Sequence, residues 1–99
     1  MNRLESLSSA HSINLEPNDV HRLASLCGQF DENLRLIEQR LEVEIRSRDN
    51  FFAIYGEPKA CQGALDVLLN LYQQTAHFPE LPIEEVHLNL RQSEREKPM

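Results

Sequence analysis

Period-two alternation is clearest at Val43-Glu44-Ile45-Arg46-Ser47-Arg48. It predicts a strand with one buried face. Asp49-Asn50 follow, residues that tolerate positive φ and suit a tight hairpin. Phe51 to Tyr55 reads as the aromatic-rich return strand, ended by Gly56-Glu57-Pro58. Before the hairpin the spacing is helical. Leu34, Ile37 and Leu41 form one stripe, with Glu38, Gln39 and Arg40 facing out. Asp31 is the expected N-cap of this helix, accepting backbone N–H groups a turn ahead, and Glu32 favours the same end through the helix dipole. Val20, Leu23, Ala24 and Cys27, widened by Leu26, make an earlier helical face. Pro17 suits the start of that helix, where its missing N–H goes unused. Gly28 falls where a helix end needs positive φ. Ile13-Asn14-Leu15 alternates and stops at Glu16-Pro17, a short strand.

After the hairpin, Ala60, Cys61, Ala64, Leu65, Leu68, Leu71 and Tyr72 share one side of a third helix. Gly63 inside it costs about 1 kcal/mol against alanine, which predicts close packing there, against the sheet. The pattern breaks after Thr75. His77 to Pro82 is a proline-bounded connector, and Ile83, Val86 and Leu90 suit a short final helix with Glu84 and Glu85 in its first turn. Val86, Leu88 and Leu90 also alternate, so a strand is the alternative. The division expected is a flexible tail over 1–11, a domain over 12–76, and a connector with a short helix and a charged, disordered end over 77–99. The fold class is α+β: a three-stranded antiparallel sheet backed by helices in a two-layer sandwich.

Ninety-nine residues fit one small domain. No apolar run approaches the roughly 20 residues of a membrane span, and the start lacks the apolar segment of a signal peptide. A cytoplasmic protein is expected, with no membrane partner. Cys27 and Cys61 fall on apolar helix faces and are expected as buried free thiols, although a disulfide stays open. The net charge of −6 argues against binding nucleic acid chiefly through phosphates. His11, His21, His77 and His87 lack the spacing of a zinc site. Ser8-Ser9 and His11 form no supportable nucleophile–base pair, and Glu84-Glu85 suits a helix N-terminus better than acid–base work. No catalytic or metal-ligating constellation emerges.

The order strand, helix, glycine turn, helix, strand, strand, helix resembles a KH module. The residues Leu26-Cys27-Gly28-x-Phe30-Asp31-x-Asn33-Leu34, Ile37-Glu38, Arg40-Leu41, Val43-Glu44-Ile45, Arg48-Asp49-Asn50 and Phe52-x-Ile54-x-Gly56 look like the N-terminal region of the PhoH-like, phosphate-starvation-inducible P-loop ATPases of bacteria. Ile83-x-Glu85-Val86-His87-Leu88 resembles the segment leading towards that family's ATPase domain. The resemblance spans roughly residues 13 to 91. It implies an accessory domain of a protein that uses ATP and Mg. No Gly-x-x-x-x-Gly-Lys-Ser/Thr occurs in the sequence, so this chain is expected to hold no cofactor and to be no enzyme itself. The partners implied are single-stranded RNA, the parent ATPase domain and a YbeY-type endoribonuclease.

KH modules grip single strands at a Gly-x-x-Gly turn. Here the turn is Gly28-Gln29-Phe30-Asp31, with aspartate in place of the second glycine and no cation between. A carboxylate there repels phosphate. One reading makes Gly28 a helix stop and Asp31 a cap. The other keeps an RNA groove formed by Gly28, Gln29, Phe30, Asn33, Arg35, Arg46, Arg48 and Lys59, with Arg40 near by and Phe30 stacking on a base. Against it, the arginines can pair with Glu44 and Glu38, and Phe30 can pack inward. A protein-docking role is the alternative function.

Overall fold

The computed structural model describes residues 11–95. Of the expected tail over 1–11, residues 1–10, with Ser8 and Ser9, lie outside the described residues, as do 96–99, whereas His11 belongs to a strand. The elements run β1 (His11–Asn14), α1 (Val20–Cys27), a 3-10 turn (Gln29–Asp31), α2 (Glu32–Leu41), β2 (Glu44–Arg48), β3 (Phe51–Tyr55), α3 (Pro58–Gln74) and α4 (Ile83–Arg95). This is the predicted α+β order. The strands form an antiparallel sheet in the order β1-β3-β2.

Side chains paired across strands share a face, so register fixes the layers. Phe52 and Ile54 are fully buried on the helix side, paired with Ile13 and Ser47, and with His11 and Ile45. On the other side lie Phe51, Ala53 and Tyr55 with their partners Arg48, Arg46 and Glu44. Among the described residues, helices cover the first face only. The core joins Leu15, Leu23, Leu26, the α2 stripe Leu34-Ile37-Leu41, and the α3 residues Cys61, Ala64, Leu68, Leu71 and Tyr72.

Several expectations change. α1 starts at Val20, not Pro17, because Asp19 is the working N-cap, accepting from the N–H groups of His21 and Arg22 at 2.9 and 3.2 Å. Val20 and Ala24 are exposed, and Leu23 and Leu26 carry the buried face. β1 begins at His11, and Leu15 lies just past it, in the core. On α3, Val67 is buried while Ala60 and Leu65 are only partly so.

Gly63 packs against α4 rather than the sheet: a Cβ there would stand 2.8 Å from Ser93 Oγ. The final segment is a helix of 13 residues, continuing to Arg95 through part of the expected charged tail. Val86 and Leu90 enter the common core, Asn89 is buried with its amide on Glu85 O at 2.9 Å, and Ile83 stays exposed.

A polar clamp closes the far end of α3. Arg22 donates from Nε to Thr75 Oγ1 and from Nη2 to the Tyr72 carbonyl, both at 2.9 Å. Its guanidinium sits 4.5 Å from the Tyr72 ring centroid, within cation–π range. The Tyr72 hydroxyl donates to Pro17 O. At the opposite end of the sheet, Leu15 N–H donates to Asn50 O, and Asn50 Nδ2 to Leu15 O, both at 2.8 Å. The hairpin turn uses positive φ at Asp49, as its sequence predicts.

Candidate nucleic-acid interface

An open groove of about 840 Å³ runs from α2 around the edge strand β2 onto the uncovered sheet face. One wall carries Asp31, Leu34, Arg35 and Glu38; the other is Glu44 to Arg48, backed by Phe51, Ala53 and Tyr55. The wall spacing is set by Glu38. Its carbonyl accepts from Val43 N–H at 3.1 Å, closing the helix, and its Oε2 accepts from Ile45 N–H at 2.7 Å, fixing the strand beside it. Glu38 is therefore half-buried, not the solvent-facing residue its helical spacing predicts.

The groove gathers Arg35, Arg46 and Arg48, three of the predicted residues, against the carboxylates of Asp31, Glu38 and Glu44. Arg46 bonds Glu44 Oε2 through Nη2 at 2.6 Å and through Nε at 2.9 Å. Their side chains are 72 % and 49 % exposed, and such surface pairs hold only weakly against a competing anion. Among the described residues Arg35 and Arg48 make no ion pair.

The turn leading into α2 has an unusual backbone. Gly28 has φ 81 and ψ 173; Phe30 and Asp31 follow at φ 55 and φ 59, both left-handed. Non-glycine residues take that region at a cost. Asp31 occupies the N-cap position as predicted, but in this conformation its side chain makes no capping bond. Phe30 is 82 % exposed, so it does not pack inward as one sequence reading had it. The turn holds an aromatic ring in solvent one residue before Asp31, which lines the groove.

The other predicted residues lie apart from the groove. Asn33 is buried and donates from Nδ2 to Leu26 O at 3.1 Å, satisfying the end of α1. Gly28 and Gln29 line a smaller cleft of about 290 Å³ with Ser25, Glu32, Leu81 and Ile83. Lys59 is exposed on the first turn of α3 and is not part of the groove wall. Sequence reasoning missed Leu34, Glu38, Ile45, Ser47, Phe51, Ala53 and Tyr55 as groove residues. The alternation of β3 against β2 was the available signal for the last three.

Both cysteines are free. Cys61 is fully buried, as expected, and Cys27 partly so. Burial, reinforced by the Asp31 carboxylate, pushes the Cys27 thiol from 9.0 up to about 11. Burial also raises Cys61, opposed by a hydrogen bond from the His11 backbone.

Two glycine turns precede helices, and acidic residues crowd both. Asp31 and Glu32 follow the Gly28 turn and Glu57 follows Gly56, placing carboxylates where a phosphate cradle needs amides and a lysine. Among the described residues no three His, Cys, Asp or Glu side chains converge to hold a metal ion, and no helix is long and apolar enough to cross a membrane. No protein-family model matches the chain.

Proposed function

We propose that the chain is a single-stranded RNA-binding accessory module, the N-terminal domain of a PhoH-like ATP-binding protein of the bacterial cytoplasm, with no reaction of its own. The observation that carries this reading is the α2–β2 groove, where Arg35, Arg46 and Arg48 line one channel beside a turn that keeps Phe30 exposed. Guanidiniums that track a backbone and an aromatic face for a base are what single-strand binding requires. The three groove carboxylates and the net charge of −6 make the binding local and weak.

The test is a titration of the isotopically labelled domain with short single-stranded RNA at low salt, read by NMR. Amide shifts should cluster at Phe30 to Arg35 and Val43 to Arg48. Three arginine–phosphate contacts give a log–log salt slope of about −2, at about 0.7 per contact on single strands. Arg48→Glu should abolish the shifts. Their absence with wild type at millimolar RNA would exclude the reading.

The open sheet face favours a second reading, because Phe51 is exposed and Tyr55 half-buried there. That face would dock on the parent ATPase domain or a YbeY-type endoribonuclease. Size-exclusion chromatography with each partner decides it, and no shift with either removes it.

A further inference from the structure

Resting on the RNA reading above, we infer that Glu38 makes the groove discriminate among bases, favouring guanine over uracil. The inference starts from the hydrogen-bonding edge of β2. Ile45 N–H points away from β3, because it donates to Glu38 Oε2 at 2.7 Å. The N–H and C=O of one strand residue leave on the same side, so the Ile45 carbonyl also faces outward. A bare edge at Ile45 would offer one donor beside one acceptor. Glu38 consumes the donor and puts a carboxylate in its place.

An ionised carboxylate only accepts, and has lone pairs to spare after one bond. Around the Ile45 N–H the edge therefore presents acceptors, the remaining carboxylate capacity of Glu38 and the Ile45 carbonyl, with the Ser47 N–H the next outward donor along the strand. Glu38 and Ile45 both line the groove. Unstacked bases in single-stranded RNA are read on their Watson–Crick edges. Guanine carries two adjacent donors there, N1–H and the 2-amino group, which match paired acceptors. Uracil offers one N–H between two carbonyl oxygens, which a carboxylate repels. Adenine and cytosine, each with one amino group beside a ring acceptor, fall between.

The test uses fluorescence anisotropy with the whole chain at low salt and three labelled octamers: oligouridine, the same with one central guanosine, and the same with inosine there. Guanosine should tighten binding about tenfold over oligouridine, the scale of one good bidentate base contact. Inosine, which lacks the 2-amino group, should fall between. Glu38→Gln keeps a carbonyl acceptor for Ile45 N–H but loses the paired acceptors, and should bring the guanosine-to-uridine ratio near one. Two results overturn the inference alone: oligouridine binding without a guanosine preference, or an undiminished preference in Glu38→Gln. The inosine arm needs no protein variant, so a folding defect in Glu38→Gln cannot hide the answer. Failure of every octamer to bind overturns the RNA reading, and this inference with it.

Discussion

Replacing Gly28 by alanine should unsettle the joint between α1 and α2 by a calculable amount. At φ 81 and ψ 173 the position lies in a region essentially reserved for glycine, and holding a side-chain-bearing residue there costs about 1–3 kcal/mol. Sterics add to this. A Cβ would stand 2.9 Å from Asn33 Nδ2, 3.0 Å from Asn33 Cγ and 3.0 Å from Glu32 Cγ. Glu32 is exposed and can swing away, but Asn33 is buried and its Nδ2 is bonded to Leu26 O. Moving it forfeits a buried hydrogen bond worth about 1 kcal/mol. The sum, about 2–4 kcal/mol, leaves a domain of ordinary stability, about 5–15 kcal/mol, still folded. At about 4–8 °C per kcal/mol for a chain of this size, Tm should fall by at least about 8 °C. Urea denaturation followed by circular dichroism gives the free energy directly. The decisive comparison is a double-mutant cycle with Asn33→Ala, which removes the obstructing amide. In that background Gly28→Ala should cost only the backbone part, a coupling of about 1 kcal/mol. A loss below 1 kcal/mol for Gly28→Ala alone, or strict additivity with Asn33→Ala, would refute the argument.

Arg22→Ala removes two hydrogen bonds and a ring contact at the end of α3 and should destabilise by about 2–3 kcal/mol in urea; Arg22→Lys should recover little, since an ammonium cannot reproduce the planar fork. Phe30→Gly should raise stability by about 1 kcal/mol, because it relieves a left-handed non-glycine residue, while weakening RNA binding by about fivefold or more through lost stacking; thermal melts and anisotropy measure the two effects on one sample. Cys27, held near 11 against 9.0 for an ordinary thiol, should resist alkylation at pH 8 in the native state and react once urea unfolds the chain. The unfolded thiol ionises first, so the stability Cys27 contributes is fully present below pH 9 and is lost as pH rises towards 11; Cys27→Ser should flatten that part of the stability–pH curve.

Local chemistry made most of the elements readable in the sequence. The alternation through Val43 to Arg48, the Asp49 turn and the Leu34-Ile37-Leu41 stripe are short-range patterns, and each has its predicted place. Gly28 was legible for the same reason, since a positive φ at a helix end needs that residue. Partners distant in the chain were not legible. Nothing in the sequence around Arg22 announces that it bonds Tyr72 and Thr75, 50 and 53 residues away. Val20 fits a helical stripe, yet it faces solvent as the first residue of α1, where the core reaches only Leu23 and Leu26. Asn33 and Glu38 were misplaced for a related reason. Each spends its side chain on the backbone of a neighbouring element, Leu26 O and Ile45 N–H, and a hydropathy pattern records no hydrogen bonds. For the groove, the strand residues were visible and the depth of the α2 wall was not.

The paired bonds between Leu15 and Asn50 also set the direction in which the sheet comes apart. β1 has only four residues on β3, and this clasp secures it at one end. Among the described residues, fraying is therefore expected to run from His11 towards Leu15, where it halts. Amide exchange should follow that gradient at the residues whose N–H groups face β3, fast at His11, slower at Ile13 and slowest at Leu15. The clasp also closes a loop of 35 residues, so β1 gains its anchor only after the hairpin tip exists. Among the described strands, β1 is therefore expected to join the sheet last.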